Sequence, residues 1–349
     1  MATTLRQSAE PLKPAIDPAG WDAAKIVASD DWVYRFPEHE IAEIMDAAAV
    51  LESSGKDLVT TDREDFALPK TETTLAAIYD ELKNGKGFVQ MRGLPVAEIS
   101  RTRAAAVIWG IGSYFGTAMS QNSDGHVLGH VLDLGKDYND PMVRGYQTKA
   151  AMTFHTDPCD MVALLCLNTA KSGGASRVVS SVTLYNEMLK RNPDFVADLC
   201  EDFFWSLHGE FSPGGDPWYK MPVFTFDDGY FSARGASTHA RKAQDLPGAE
   251  KWSALRNEAV AMFQELTKEL AADLPFEQGD FQILNSHVTL HSRRPYEDNV
   301  EMERKRHLFR LWIRNDDLRP LPQQVRDNLL GIEVEGITPI VPLDTSETV

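Results

Sequence analysis

Thr153-Phe154-His155-Thr156-Asp157 places an imidazole and a carboxylate two positions apart. Alternate residues of a β-strand share a face, so His155 and Asp157 would reach one point while Thr156 faces away. A remote second histidine would complete a 2-His-1-carboxylate set, which holds a non-haem Fe(II) and leaves coordination positions open. A barrel would bring an early and a late strand side by side in this way.

The neighbouring sequence supports a β core. Met161 to Leu167 and Arg177 to Ser180 read as short strands around a Gly173-Gly174 turn. Phe281 to Leu284, Val288 to His291 and His307 to Ile313 read as strands late in the chain. Pro222 to Phe226 and Tyr230 to Ala233 flank Asp228-Gly229, a strong hairpin signal. Upstream, Ile41 to Glu52, Leu75 to Leu82 and Arg101 to Tyr114 carry helical spacing, and Gly87 to Pro95 reads as a strand. Leu184 to Arg191 is a short helix, and Ala254 to Leu274 a long amphipathic one with Leu255, Ala259, Met262, Phe263 and Leu266 on its apolar face. The first thirty residues, with Pro11, Pro14 and Pro18, are expected to form an extended or partly ordered arm. No repeat or low-complexity linker divides residues 31–349, so one domain is expected, with helices over about 31–120 and the β core over about 87–320.

His291 is the best second histidine. It lies on an expected strand, 136 positions after His155 (291 − 155). His287, four positions earlier, is the weaker candidate. An H-x-D triplet alone also fits a capped loop or a surface ion pair, and His291 alone also fits a packed core histidine. The arginines that follow narrow the choice. Arg306 lies 15 positions after His291 (306 − 291), at the edge of the apolar run His307-Leu308-Phe309-Arg310-Leu311-Trp312-Ile313. Alternation puts Arg306, Leu308 and Arg310 on one face. Arginines among such neighbours are costly unless they meet an anion or a wet cavity, so they imply anions inside a barrel.

Composition limits the partners. The 349 residues carry a formal net charge of −17 and 43% hydrophobic residues, with a pI near 5.0. This argues against nucleic acid or an anionic membrane as a general partner, since both need basic surfaces. Three cysteines at no zinc-like spacing suggest a reducing compartment. No signal-like start and no apolar run of spanning length are seen, so a cytoplasmic location is expected. A homo-oligomer stays open.

At this point the chain resembles the Fe(II)/2-oxoglutarate-dependent dioxygenases of the TauD/TfdA type. The resemblance rests on His155-Thr156-Asp157, Gly173-Gly174-Ala175-Ser176, Gly279-Asp280, Asn285, His291-Ser292-Arg293 and Arg306-His307-Leu308-Phe309-Arg310. It runs from about Gly87 to Arg314. It implies a mainly β fold, a double-stranded β-helix (jelly-roll, cupin-like) core with helices packed outside. It implies that His155, Asp157 and His291 are the iron ligands and the catalytic centre, and that Arg306 pairs with the distal carboxylate of 2-oxoglutarate. Ser176 matches a threonine whose hydroxyl meets that carboxylate, and Arg310 an arginine that meets the substrate's own anionic group. Retention of Asp157 argues against halogenation, which needs a small residue there.

The implied reaction consumes 2-oxoglutarate and O₂, releases succinate and CO₂, and hydroxylates a small organic acid. Desaturation or oxidative cleavage with the same cofactors is the first alternative, and a cupin-like barrel that binds an anion without turnover is the second. Trp205, His208, Trp218, Tyr219 and Phe224 fall in the insertion where the family varies its substrate lid. Gln147, Thr148 and Asn122 are placed near the site by proximity alone, and Cys159 is expected to be a buried inert thiol.

Overall fold

The computed structural model describes residues 5–135, 148–207, 216–236, 238–328, 331–332 and 336–344. His208 and Gln147 lie outside the described residues. Two facing sheets form the centre. The larger runs Val33–Arg35, Phe88–Arg92, Phe281–Asn285, Met161–Asn168, His307–Arg314, Thr117–Met119, with Leu128–Leu132 also paired to His307–Arg314. The smaller runs Ala272–Leu274, Ser176–Ser180, Thr289–Arg293. Strands that are neighbours in space thus come from opposite ends of the chain, as in a double-stranded β-helix. Among the described residues no backbone strand pairing joins the two sheets into a closed barrel, so the interior expected from the arginines is the gap between two sheets.

Alternation divides the larger sheet chemically. Val89, Met91, Phe281, Ile283, Met161, Ala163, Leu165, Phe309, Leu311 and Ile313 point outward into one apolar layer. The helices Glu38–Ser54, Glu72–Asn84 and Arg101–Ser113 cover that layer. The inner face is mixed. Phe88, Val162, Leu284 and Trp312 pack against Val178, Ala272 and Leu274 of the smaller sheet at one level. One side-chain row away, the registers align Gln90, Gln282, Leu164, Arg310 and Gly129 across five strands. A second apolar layer joins the helices Ser181–Arg191, Pro193–Leu199 and Ala254–Glu269 to the hairpin Phe224–Asp227/Tyr230–Ala233.

Local chemistry explains most element ends. Asp228 (φ 45°) and Gly229 (φ 75°) take the left-handed conformations of the expected two-residue hairpin turn. Asn192 caps the helix that Pro193 opens, so the expected stop after Arg191 is also a start. The long helix ends at Glu269, and Ala272–Leu274 pairs with Ser176–Ser180 instead, because that edge strand completes the smaller sheet. Leu255, expected on its apolar face, is exposed. The N-terminal segment holds a helix at Ala23–Val27 and packs through buried Ala15, Ala19 and Trp21. Asp17 accepts hydrogen bonds from Arg6 and buried Arg319, both at 2.8 Å.

Candidate metal centre

His155, Asp157 and His291 come together as the sequence predicts, but the triplet is not on a strand. His155 makes only an isolated bridge to His291: each backbone N–H donates to the other's carbonyl, at 3.0 and 2.9 Å. Asp157 follows in an irregular segment ahead of Met161–Asn168. One potential ligand atom from each residue lies within 4.8 Å of the others. Close approach is helped by Gly235, where a Cβ would sit 2.8 Å from the His155 Cα.

Hydrogen bonding and burial set the protonation. His155 Nδ1 lies 2.8 Å from the Thr153 carbonyl, which can only accept, so Nδ1 carries the proton and Nε2 keeps its lone pair. Burial pushes both imidazoles down, His291 to about 3 with His155 beside it. Burial alone would raise the Asp157 carboxyl. The neighbouring charge of Arg310, followed by His291 and His155, outweighs it and holds the group below its usual value. At neutral pH the site therefore offers two neutral nitrogens and one carboxylate, the forms a metal needs.

A metal fits this set. Asp157 Oδ2 is buried without a hydrogen-bond partner, 3.6 Å from His291 Nε2. An oxygen left so is costly unless something satisfies it, and a divalent ion would. The two-nitrogen, one-oxygen donor set is that of a non-haem iron site.

The inner-face arginines differ from each other. Arg310 donates through Nε to Gln121 Oε1 at 2.8 Å, and its Nη1 lies 3.5 Å from Asp157 Oδ1. Gln121 in turn donates to the carbonyls of Arg310 and Val127. Gly129 makes room for this, since a Cβ there would meet Gln121 Oε1 at 2.6 Å. Arg306 precedes its strand and is buried over the Tyr296 ring, 5.4 Å from its centroid. Its Nη2 makes one long contact, 3.4 Å, to the Gly174 carbonyl, and its Nη1 has no partner. Among the described residues no carboxylate pairs with its guanidinium, which is the state expected of a buried cation awaiting an anion.

Ser176 starts a buried polar chain. Its hydroxyl donates to Gln282 Oε1 (2.9 Å), Gln282 Nε2 to Gln90 Oε1 (2.9 Å), and Gln90 Nε2 to Asp280 Oδ2 (2.8 Å). Asp280, fully buried, is held by both Nε and Nη2 of Arg92, each at 2.8 Å. Gln90 Nε2 also lies 3.2 Å from the Pro275 carbonyl. Two acceptors on that nitrogen fix the direction of every amide in the chain.

Sequence reading missed Gln121, Gln90, Gln282 and Arg293. Gln90 and Gln282 could have been found as polar residues alternating with apolar ones in the Phe88–Arg92 and Phe281–Asn285 strands. Arg293 is buried and donates to the carbonyls of Thr148 and Ala150 at 2.7 and 2.6 Å, which ties that segment to the smaller sheet. The remaining residues named from the sequence have partners or packing of their own. His287 bonds to Asp160 Oδ1 at 2.8 Å, and Asn122 bonds to His126. Cys159 is fully buried, its thiol raised well above the ordinary value by that burial. Trp205 and Phe224 are core residues, while Trp218 and Tyr219 are half-buried.

Comparison with known proteins places this architecture. Residues 54–312 match the family described as "Taurine catabolism dioxygenase TauD, TfdA family". The chain is 30% identical over 332 residues to FR-33289 synthase of Streptomyces rubellomurinus, covering 92% of this chain and 96% of that protein. It is 27% identical over 315 residues to a taurine hydroxylase-like protein of Stachybotrys chartarum, covering 86% and 80%. Among solved structures, asparagine oxygenase with Fe(II), hydroxyasparagine and succinate superposes with a TM-score of 0.63 at 17% identity, over 81% of this chain and 93% of that one. The non-haem iron oxygenase OrfP with iron, succinate and hydroxyarginine gives 0.66 at 13%, over 89% and 99%. The chain belongs to the TauD, TfdA family and is an iron- and 2-oxoglutarate-dependent dioxygenase of that family.

Proposed function

We propose that this dioxygenase hydroxylates a C–H bond of a small organic anion, with His155, Asp157 and His291 holding the iron. Arg306 takes the distal carboxylate of 2-oxoglutarate, and Ser176 borders that carboxylate. The observation that carries this reading is the pairing of two unsatisfied groups between the sheets: a buried carboxylate oxygen on Asp157 and a buried guanidinium nitrogen on Arg306. One wants a cation and the other an anion.

Iron held by His155, Asp157 and His291 would supply, with 2-oxoglutarate and O₂, the oxidising power for C–H cleavage. The chain's own residues do the rest. The Thr153 carbonyl holds the His155 ring with Nε2 toward the site. Arg310 keeps Asp157 ionised. The planar fork of Arg306 suits a bidentate carboxylate contact, and Tyr296 beneath it restricts the guanidinium to one plane. Gly174 (φ 72°) leaves space beside Arg306, because a Cβ there would lie 3.1 Å from its Nε. Arg310 is the candidate for the substrate's anionic group on the strength of the motif, and its guanidinium borders the ligand set.

The small-molecule substrates of the asparagine and OrfP oxygenases favour an amino acid or a similarly sized acid. The test is succinate release from 2-oxoglutarate with Fe(II) and ascorbate, alone and with a panel of small carboxylates, sulfonates and amino acids. Stimulated succinate and a product heavier by one oxygen support hydroxylation; a product lighter by two hydrogens means desaturation. Absence of both turnover and metal-dependent 2-oxoglutarate binding in the wild type overturns the reading. Arg306→Gln should weaken 2-oxoglutarate binding roughly 100-fold, as expected for a lost charge-assisted pair, and Ser176→Ala about 10-fold or less.

A further inference from the structure

Arg234 is a buried arginine that neither the motifs nor the relatives assign. It follows the hairpin strand Tyr230–Ala233, in the insertion between the two ligand-bearing segments. Only 9% of it is exposed, and its Nη1 is buried without a hydrogen-bond partner. Its guanidinium carbon sits 5.2 Å from the Trp205 ring centroid and 5.7 Å from that of Tyr219. Those two rings are nearly parallel, 16° apart. Among the described residues no carboxylate pairs with it.

Its position ties it to the iron site. The next residue, Gly235, abuts His155, and the Gly235 N–H points to the Thr156 hydroxyl at 3.5 Å. Arg234 and Asp157 line one cavity, together with Thr156, Cys159, Thr225 and Ser232. That cavity is narrow, about 20 Å³. It admits an oxygen the size of a water, so it suits the tip of a headgroup and not a whole substrate.

The two substrate-side arginines therefore differ in what they still need. Arg310 already has Gln121 Oε1 and the Asp157 carboxylate within reach. Arg234 has aromatic faces, which orient a guanidinium and lower its hydration, and no carboxylate partner among the described residues. We propose that Arg234, backed by Trp205 and Tyr219, is a further anchor for an oxyanion of the substrate in addition to Arg310, and so a specificity-determining residue of this enzyme. The inference rests on the oxygenase reading above, since it treats the hairpin as the substrate side of that centre. It is a claim about an oxyanion, carboxylate or sulfonate, held in a fixed orientation beside the ligand-bearing segment.

Sodium propionate and ethanesulfonate serve as probes, titrated into zinc-loaded protein saturated with 2-oxoglutarate, so that the Arg306 site is filled. Tryptophan emission reads the contact, because Trp205 lies against Arg234. Wild type should show saturable binding. Arg234→Gln should weaken it at least 10-fold, and Arg234→Lys should retain part of it. Binding of 2-oxoglutarate itself should be within twofold of wild type in Arg234→Gln and weakened roughly 100-fold in Arg306→Gln. If 2-oxoglutarate does not bind the wild type, the oxygenase reading is what has failed. If it does bind but Arg234→Gln or Arg234→Lys, folded by circular dichroism, takes the probes as tightly as wild type, Arg234 is only an aromatic-packed core cation and the proposal falls. No saturable probe binding to wild type overturns it equally.

Discussion

Arg310 Nη1 stands 3.5 Å from Asp157 Oδ1, while Arg310 Nε is held from behind by Gln121. The buried carboxylate of the ligand set thus has a cation whose orientation is fixed by a third side chain. Removing one member of a buried pair strands the other. In metal-free protein Arg310→Leu should cost roughly 2–4 kcal/mol of unfolding free energy, and Asp157→Asn in the same chain should recover more than half. A double-mutant cycle by urea denaturation measures this; a coupling near zero would show the two charges to be independent.

Metal binding should stabilise the fold through the same carboxylate. Ions that bind only the folded state add about 2.7 kcal/mol at a hundredfold excess over Kd. Thermal melts with Mn(II) or Co(II) should rise for wild type and stay flat for Asp157→Ala and His291→Ala. An equal rise in all three would place the ion elsewhere.

Asp280 is the end of the buried chain that reaches Ser176. Arg92→Met leaves that carboxylate without its bidentate partner and should cost about 3–5 kcal/mol. The milder Gln282→Leu frees the Ser176 hydroxyl and removes the last amide, so it should alter 2-oxoglutarate binding more than stability. Equilibrium titration beside chemical denaturation separates the two effects, and a stability loss with unchanged binding would refute the link to Ser176.

Acid sensitivity should come in part from His307. Burial and adjacent His130 push its pKa to about 3, against about 6.5 when unfolded. His130 donates from Nε2 to the Pro342 carbonyl (2.9 Å), so its Nδ1 accepts from His307 Nε2–H at 3.0 Å. A folded value below the unfolded one means that stability is complete above pH 6.5. It then drains as pH falls toward 3, by up to about 1.4 kcal/mol per pH unit per group. His307→Gln should flatten that acid limb by one group's share between pH 6.5 and 4.5. An unchanged slope of urea midpoint against pH would exclude His307.

How far the sequence reaches is clearest at particular residues. Alternation placed Arg306 and Arg310 on one face of the His307–Arg314 region, and both are buried between the sheets. The Asp228-Gly229 turn was legible because its backbone demand is local. His155-Thr156-Asp157 misled in form though not in ligands: period-two spacing suggested a strand, yet two hydrogen bonds to His291 are all the pairing the segment has. The Ala254–Leu274 pattern overran because the edge of the smaller sheet claims Ala272–Leu274, a demand made by residues about 95 positions away. Gln121 and Arg234 carried no readable signal, since their roles depend on Gly129, Trp205 and Tyr219, which only the fold brings near.

The reciprocal hydrogen bonds between His155 and His291 carry one more consequence. Two of the three ligands meet only after the chain closes a loop of 136 residues (291 − 155), which is entropically late in folding. An ion offered during synthesis finds no complete nest until the C-terminal strands have docked. Metal uptake is then a checkpoint on finished folding, and the amide protons of His155 and His291 should exchange with solvent together, as one clock that starts only when that loop has shut.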